Sequence, residues 1–200
     1  MESIDPVAAQ KTALRDRLLT DRRRRPLVVA QEDARDLAAH LLATPEVRRA
    51  ATVAAYVSLP HEPGTGPLLA ELLRLGRRVI LPVLLPDNDL DWAVHAGPDD
   101  LVPAPRGLLE PAGPRLGRDA VASADVVLCP GLAADRRGYR IGRGGGSYDR
   151  VLARVPSGTF VCVLVYDDEV LAELPTDDHD RPVTAAATPS GVTRLGPAPA

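Results

Sequence analysis

The stretch "TVAAYVSLPHEPGTGPLLAELLRLGRRVILPVLLP", residues 52–86, decides the fold. It begins with a β-rich run that ends at a proline and continues with an amphipathic segment that ends at a glycine. A second apolar run follows, so the pattern predicts a strand, a helix and another strand. Because a strand–helix–strand unit joins parallel strands through a right-handed crossover, we expect these two strands to be parallel neighbours.

Three further apolar runs extend the sheet. They are "LDWAVHAG" at 90–97, "ADVVLCPG" at 124–131 and "GTFVCVLVY" at 158–166. Each is short and bounded by turn residues, which is typical of strands in a buried sheet. We therefore predict an α/β fold: a mostly parallel sheet with helices on both faces, in a Rossmann-like three-layer arrangement.

The first quarter of the chain has a different pattern, with apolar residues at helical spacing. Segment 8–20, "AAQKTALRDRLLT", contains few helix breakers and predicts a first helix. Pro26 can begin a second helix, and Thr44 followed by Pro45 is typical of the start of a third. A helical N-terminal region is expected over residues 1–50.

Length and composition predict one domain. A chain of 200 residues with 45% hydrophobic content can bury a single core. We expect the α/β sheet to occupy residues 51–192 and a frayed tail to follow at 193–200. The proline-rich segment 97–117 is expected to be the least regular part. Cys129 and Cys162 lie in apolar runs and are expected to be core residues rather than a disulfide or metal ligands.

Charge and hydropathy argue against several classes of partner. The net charge is -3 and the arginines are spread along the chain, so no continuous basic face for nucleic acid is predicted. The sequence begins without the apolar core of a signal peptide, and its longest apolar run, "VILPVLLP", is too short to span a bilayer. We expect a soluble cytoplasmic protein without a nucleic-acid or membrane partner, either a monomer or a weak homo-oligomer.

The stretch "GYRIGRGGGSYDR", residues 138–150, predicts an anion site. It follows the strand at 124–131, and ligands of open α/β sheets collect beyond the carboxyl ends of the strands. Successive glycines let backbone N–H groups converge on an anion, and a following helix, which Ser147 can cap, adds its positive end. Arg140, Arg143 and Arg150 supply charge that matches phosphate or carboxylate groups.

Two common nucleotide-binding patterns do not fit this loop. It contains no lysine, which a P-loop requires, and a dinucleotide fingerprint started at Gly142 would need glycine where Ser147 stands. Asp149, close to the glycines, would repel a polyphosphate unless Mg²⁺ lay between them, so it is a candidate metal ligand. A residue that only complements the helix dipole is an equally good interpretation of Asp149.

Lys11 is the only lysine among 24 basic residues. Two explanations are equally good: a coding bias towards arginine, or a site that requires the compact ammonium group of lysine. Arg15 lies one turn further along the same, exposed helical face. The charged run "DRRRRP" at 21–26 is interpreted as a solvated helix end, with an acidic ligand or partner as the less favoured alternative. The run "TDDHD" at 176–180 is unsuitable as a zinc site, because its candidate ligands are adjacent in the sequence. Tyr56 and Trp92 are core residues or pocket walls.

The glycine stretch resembles the nucleotide loop of the 5-formyltetrahydrofolate cyclo-ligases, and other elements resemble that family in the same order. "KTALR" at 11–15 is similar to its N-terminal Lys-x-x-Leu-Arg element, and "AAYVSLPHEPGT" at 54–65 to its first strand and following glutamate. "GLLEP" at 107–111 resembles its Gly-Ile-x-Glu-Pro element, and "HDRPVTAAATP" at 179–189 its closing strand region. The resemblance covers nearly the whole chain.

The resemblance implies conversion of 5-formyltetrahydrofolate, a reduced folate, to 5,10-methenyltetrahydrofolate with ATP and Mg²⁺, releasing ADP and phosphate. In the family the γ-phosphoryl group of ATP is transferred to the formyl oxygen, N10 attacks the activated carbon, and phosphate leaves as the ring closes. Such a transfer needs positioning and charge neutralisation more than a protein nucleophile.

The resemblance also implies site residues. Lys11, Arg140 and Arg143 would be catalytic, balancing charge in the transfer. The ATP-binding residues would be Lys11, Arg15, Gly138, Tyr139, Arg140, Ile141, Gly142, Arg143, Gly144, Gly145, Gly146, Ser147 and Tyr148. The folate would contact Val57, Glu62 and Tyr148, and the metal ligands would be Asp149 and Asp180.

Three positions depart from the family pattern. Ser147 replaces the first of two tyrosines, Thr184 stands where an aspartate is common, and Arg106 replaces an aromatic residue before "GLLEP". Arg106 could stack on a ring or pair with a glutamate tail. These changes keep two other functions open: a relative that binds nucleotide without folate turnover, and a sugar-phosphate isomerase or acyl-transfer enzyme on a similar sheet.

Overall fold

The computed structural model describes residues 6–196 as a three-layer α/β structure. Its helices are α1 (Pro6–Arg23), α2 (Leu27–Ala43), α3 (Pro45–Arg49), α4 (Gly66–Arg74) and α5 (Ser147–Leu152). Its strands are β1 (Thr52–Ala54), β2 (Arg78–Leu84), β3 (Leu90–Val94), β4 (Leu101–Pro103), β5 (Leu109–Pro111), β6 (Val126–Pro130), β7 (Ala133–Asp135), β8 (Arg140–Ile141), β9 (Phe160–Leu164), β10 (Val170–Leu171), β11 (Ala185–Thr188) and β12 (Gly191–Arg194).

The helical N-terminal region is confirmed from residue 6 onward, and residues 1–5 lie outside the described residues. Pro26 has an extended backbone immediately before α2, and Thr44 separates α2 from α3, which begins at Pro45. Thr44 does not cap α3 with its side chain, because its hydroxyl donates to the carbonyl of His40 at 2.9 Å. Proline at the first helical position and an extended residue before it are therefore enough to begin α3.

The seven-stranded sheet confirms the predicted fold class. Its order is β12-β11-β9-β6-β1-β2-β3. The five inner strands are parallel to one another, including the predicted pair β1 and β2, whereas the edge strands β3 and β12 are antiparallel. β1 has only three residues, since the chain leaves the sheet after Ala54.

Both faces of the sheet are covered by helices. One face packs on α2, α3 and α4 through side chains that include Leu37, Leu41 and Leu72. The other face packs on α5 and on the 3-10 turn Arg118–Ser123. Cys162 lies in the first layer and Cys129 in the second, each fully buried with a free thiol, as the sequence predicts.

The proline-rich segment 97–117 is more regular than predicted. It contains two 3-10 turns, Pro98–Asp100 and Pro105–Gly107, and the antiparallel pair of β4 and β5. At three residues each, these strands are too short to show an alternating pattern in the sequence.

A separate three-stranded sheet, in the order β10-β7-β8, supports α1. Leu18 of α1 packs there against Leu132, Ile141 and Leu174. The prediction of a fully solvated arginine run is wrong for Arg22, which is 2% exposed. Its guanidinium donates to both carboxylate oxygens of Glu169, at 2.6 and 2.7 Å, and to the carbonyl of Gly131 at 2.7 Å.

The end of the described chain differs from the predicted tail. Thr193 and Arg194 form the last two positions of β12, so the tail starts later than residue 193. Residues 197–200, the rest of the predicted tail, lie outside the described residues. Between residues 6 and 196, no helix is long and apolar enough to cross a membrane.

Replacing Arg22 with Met should lower the free energy of unfolding by about 3 kcal/mol, because the charge of Glu169 would stay buried without its partner. The double variant Arg22→Met/Glu169→Leu should recover most of that loss. Urea unfolding at pH 7 measures both, with Arg24→Met as the exposed control. A loss below about 1 kcal/mol in the single variant would contradict the burial of the Glu169 charge against Arg22.

Candidate functional site

A cavity of about 690 Å³ lies at the carboxyl ends of three neighbouring parallel strands. Tyr56 and Val57 follow β1, Leu84 ends β2, and Gly131 follows β6; all four line the cavity. This is the edge of the sheet at which the sequence predicts ligand binding. The volume is within the usual range for sites that hold small molecules.

Most of the residues proposed from the sequence for the site line this one cavity. They are Lys11, Arg15, Val57, Glu62, Arg140, Ile141, Gly142, Arg143, Gly144, Gly145, Gly146, Ser147, Tyr148, Asp149 and Asp180. Gly138 and Tyr139 are the two proposed residues that do not. The cavity therefore joins the start of the chain, the glycine stretch and residues close to its end.

Gly138 and Tyr139 belong to the turn between β7 and β8. Gly138 has φ +94°, and a Cβ there would lie 2.6 Å from the carbonyl oxygen of Val183. The backbone N–H of Tyr139 donates to the side chain of Asp135 at 3.1 Å. Position 138 therefore requires glycine because the backbone of Val183 lies too close for a side chain. Gly138 is not part of the cavity wall.

The glycines from Gly142 to Gly146 are followed by α5, as predicted, but β7 and β8 separate them from β6, so the loop does not follow that strand directly. Gly144 has φ +96° and faces Arg15, whose Cζ would lie 3.5 Å from a Cβ at this position. Arg15 also donates through Nε to the carbonyl of Gly142 at 2.9 Å. Ser147 is the first residue of the six-residue α5 rather than its cap, since Gly146 precedes the helix.

Lys11 is buried, not on an exposed face as the sequence suggests. Its Nζ donates to Asp177 at 2.7 Å and to Asp180 at 2.5 Å, and the residue is 7% exposed. Burial disfavours the ammonium, but the hydrogen bonds and charges of the two aspartates outweigh it and raise the pKa of Lys11. The hydrogen bond from Lys11 lowers the pKa of Asp177, together with the N–H of His179.

The two proposed metal ligands are each paired with a cation. Asp149 accepts a hydrogen bond from Arg140 at 2.9 Å through Oδ1, while Asp180 binds Lys11 through Oδ2. The second oxygen of each carboxylate accepts no hydrogen bond within residues 6–196. That described part contains no group of three or more metal-ligating side chains.

Carboxylate oxygens are nevertheless the donors that Mg²⁺ prefers, and Mg²⁺ is usually bound by one or two carboxylates together with phosphate oxygens and water. Asp149 and Asp180 fit a metal held partly by a bound nucleotide. They do not form a metal cage of protein ligands alone.

Glu62 and Arg143 form a third pair. Arg143 donates through Nε to Glu62 at 3.0 Å, and the other carboxylate oxygen of Glu62 accepts the N–H of Leu59 at 2.9 Å. The Glu62 side chain is buried, whereas that of Arg143 is partly exposed. A glutamate from the loop after β1 is thus held at the cavity wall by an arginine of the glycine stretch.

Two tyrosines point unpaired hydroxyls into buried positions at the cavity. The hydroxyls of Tyr56 and Tyr148 have no partner among the described residues, and neither has Nε of Arg140. Burial raises the pKa of both tyrosines well above the usual value, with a further contribution from the charge of Glu62, so both stay protonated. Of the two aromatic residues left open by the sequence, Tyr56 lines the cavity and Trp92 is core.

Sequence reasoning missed several cavity residues. Glu110, within the "GLLEP" motif, is buried and accepts the N–H of Leu84 at 2.8 Å. Asp177 and His179 also line the cavity. The sequence shows only that they belong to the charged run "TDDHD", and gives no function for them. An apolar part of the wall is formed by Leu84, Leu90, Leu108 and Leu109.

The cavity is close to neutral as a whole. Its cations are Lys11, Arg15, Arg106, Arg140 and Arg143, and its carboxylates are Glu62, Glu110, Asp149, Asp177 and Asp180. Because five charges of each sign balance, a highly charged anion gains little from the net field of the wall unless a counter-ion accompanies it. The fold and the cavity together define an α/β protein with a charged cavity at the carboxyl edge of its sheet.

Comparison with known proteins gives the family. The model of the 5-formyltetrahydrofolate cyclo-ligase family matches residues 7–189. A 5-formyltetrahydrofolate cyclo-ligase of Mycolicibacterium smegmatis is 42% identical over 191 residues, which are 92% of this chain and 97% of that protein. The enzyme of Escherichia coli strain K12 is 34% identical over 168 residues, covering 81% and 91%.

A solved structure is similar as well. The NMR structure of the 5,10-methenyltetrahydrofolate synthetase of Aquifex aeolicus has a TM-score of 0.82 and 29% sequence identity, covering 95% of each chain. The chain belongs to the 5-formyltetrahydrofolate cyclo-ligase family.

The variant Lys11→Met should destabilise the protein less at pH 3 than at pH 6. The lowered pKa of Asp177 gives a stabilisation that is complete above the unfolded pKa of about 3.9 and is lost as the pH falls below it. Removing Lys11 should therefore cost most where Asp177 is charged. Urea unfolding of both proteins at the two pH values measures this, and equal losses at both would contradict the pairing.

Proposed function

We propose that the protein catalyses the cyclisation of 5-formyltetrahydrofolate to 5,10-methenyltetrahydrofolate, with ATP and Mg²⁺ as the nucleotide and metal. Family membership supports the reaction. The observation that carries the proposal is that one cavity collects the glycine stretch, four cations from α1 and the β8 region, and Glu62. A relative that binds nucleotide without turnover, or an isomerase, lacks a comparable supporting observation.

The chemical problem is that a formamide oxygen is a poor leaving group. In the proposed reaction, this oxygen attacks the γ-phosphorus of ATP, the bond to the bridging oxygen breaks, and ADP leaves. N10 then attacks the activated formyl carbon, N10 loses its proton, and the phosphorylated oxygen leaves as inorganic phosphate. No protein nucleophile is needed, so positioning and charge stabilisation are the tasks left to the side chains.

The phosphates would lie along the glycines 142–146. Backbone N–H groups there can approach an anion closely, and Arg15 already contacts this segment through Gly142. Lys11, Arg140 and Arg143 would balance the charge that moves between the phosphoryl oxygens during transfer. Each of the three is paired with a carboxylate, so nucleotide binding would exchange a carboxylate partner for a phosphate.

That exchange also explains why the metal and the nucleotide would be bound together. When Arg140 and Lys11 turn to phosphate oxygens, Asp149 and Asp180 lose their counter-charges and become available to a cation. These two carboxylates would hold Mg²⁺, which supplies charge neutralisation at the phosphates when bound. The near balance of charge in the cavity wall supports a requirement for the metal with the nucleotide.

The folate would occupy the part of the cavity formed by Val57, Glu62 and Tyr148. A carboxylate suits the amide-like donors of a pterin ring. The N–H of Leu59 would hold Glu62 in place after Arg143 turns to a phosphate, which would leave the other carboxylate oxygen for the ring. The unpaired hydroxyls of Tyr56 and Tyr148 supply further groups for hydrogen bonds to the ring. A cytoplasmic location and a monomer or weak homo-oligomer stay predictions from the sequence.

The purified protein should raise the absorbance of methenyltetrahydrofolate when given 5-formyltetrahydrofolate, ATP and Mg²⁺ together. Omitting either ATP or Mg²⁺ should abolish the rise, because the formyl oxygen would then not be activated. A rise without ATP would overturn the proposed mechanism. A folded protein that binds ATP but gives no product would point to the non-catalytic relative.

Asp149→Asn should increase the Mg²⁺ concentration needed for half-maximal rate by about tenfold or more, because a neutral amide is a weaker ligand for the metal. Titration of the rate with Mg²⁺ at saturating ATP measures this. Asp178→Asn is the matched control, since Asp178 is exposed and lies outside the cavity wall. An unchanged metal requirement in Asp149→Asn would exclude Asp149 as a ligand.

A further inference from the structure

Arg106 lies in the cavity wall, and no carboxylate within residues 6–196 pairs with it. Its guanidinium donates one hydrogen bond, from Nη2 to the side-chain oxygen of Asn88 at 2.8 Å. Both residues have left-handed backbones, φ +64° for Arg106 and +62° for Asn88, although neither is glycine. Asparagine adopts this conformation readily, but arginine seldom does, so the strained position is Arg106, which lines the cavity.

The carboxylates nearest to Asn88 in the chain are already occupied. Asp87 pairs with Arg118 at 3.0 Å, and Asp89 pairs with Arg118 at 3.0 Å and with Arg154 at 2.5 Å. The hydrogen bonds from Arg154 lower the pKa of Asp89 to about 2. The loop that carries Asn88 is thus fixed on both sides, and its charges cannot neutralise Arg106.

The other cavity cations show the contrast. Lys11, Arg140 and Arg143 are paired with carboxylates, and Arg15 lies against the glycine segment, where phosphates are proposed. Arg106 instead adjoins Leu108 in an apolar part of the wall that also contains Leu84, Leu90 and Leu109. An aromatic ring fits such a wall, and a guanidinium at its end selects an anionic group beyond the ring.

We propose that Arg106 is a specificity-determining residue that binds a carboxylate of the glutamyl part of the folate. This inference rests on the proposed function, because a reduced folate carries a benzoyl ring followed by glutamate carboxylates. Nη2 is used by Asn88, which orients the guanidinium and leaves Nε and Nη1 as donors. Arg106 is exposed, so water solvates these donors in the free protein. A carboxylate would replace that water with charge-assisted hydrogen bonds, which ring stacking does not supply.

A double-mutant-type cycle tests the proposal: the arginine is removed from the protein, the glutamate is removed from the ligand, and the affinities of all four combinations are compared. Equilibrium dialysis without ATP compares 5-formyltetrahydrofolate with 5-formyltetrahydropteroate, which lacks the glutamate, on the wild-type protein and on Arg106→Gln. The wild-type protein should bind the folate about fivefold more tightly than the pteroate, an effect of the size expected for an exposed ion pair. Arg106→Gln should bind both ligands equally, and high salt should reduce the preference of the wild-type protein.

Two further variants separate charge from structure. Arg106→Lys should retain part of the preference for the folate, and Arg35→Gln, an exposed site outside the cavity, should retain all of it. If Arg106→Gln weakens both ligands by the same factor, or weakens neither, Arg106 does not bind the glutamyl carboxylate and the inference is overturned.

The outcome also separates this inference from the proposed reaction. Coupling here means that the preference for the folate over the pteroate depends on Arg106. If the wild-type protein catalyses cyclisation but shows no such coupling, the role of Arg106 alone is overturned. Coupling in the binding cycle without ATP-dependent cyclisation would overturn the reaction and leave the carboxylate site standing. Failure of the wild-type protein to bind either ligand would overturn both.

Discussion

The contact between Arg22 and Glu169 is the constraint on which the site depends. α1 packs on the small sheet through Leu18, and its C-terminal part is attached through the buried guanidinium of Arg22. Arg22 also donates to the carbonyl of Gly131, the residue that follows β6 at the cavity. Arg22 therefore joins the helix that carries Lys11 and Arg15 directly to the end of a central strand, in addition to the contacts that Lys11 and Arg15 make themselves. A buried ion pair costs desolvation energy, and in return it specifies one position for the helix.

Three of the five cations in the cavity wall are paired with carboxylates of the protein itself. Lys11, Arg140 and Arg143 are held by carboxylates from three different parts of the chain. This arrangement prevents repulsion among cations that are gathered for a polyanion, and it keeps their side chains in defined places. Binding then consists largely of exchanging partners, so much of the ordering of these side chains has taken place before the ligand arrives.

The parts of the fold that follow from local patterns could be predicted from the sequence, and the parts that depend on distant partners could not. The strand–helix–strand unit can be recognised from its periodicity and the glycine loop from its composition, because both patterns are visible within a few residues. β7, β8 and β10 have two or three residues each, which is too few to show a period.

The burial of Arg22 could not be predicted from the sequence, for a different reason. A run of arginines is usually solvated, and its acidic partner is 147 positions away. Lys11 was found as a candidate because it is the only lysine, but its burial depends on two aspartates near the other end of the chain. The family resemblance brought Glu62 and Asp180 into the site, although it gave no indication that both would be paired with cations.

The pairing of Lys11 with Asp180 spans 169 residues, so the site closes between the two ends of the domain. During synthesis the ribosome releases Lys11 long before the two aspartates. The sheet strands that precede them can assemble while the chain is still growing, but the lysine has neither carboxylate until residues 177–180 have emerged. A nascent chain that ends before these residues therefore lacks part of the cavity wall, and a ligand that needs the finished cavity can stabilise the protein only after they are made.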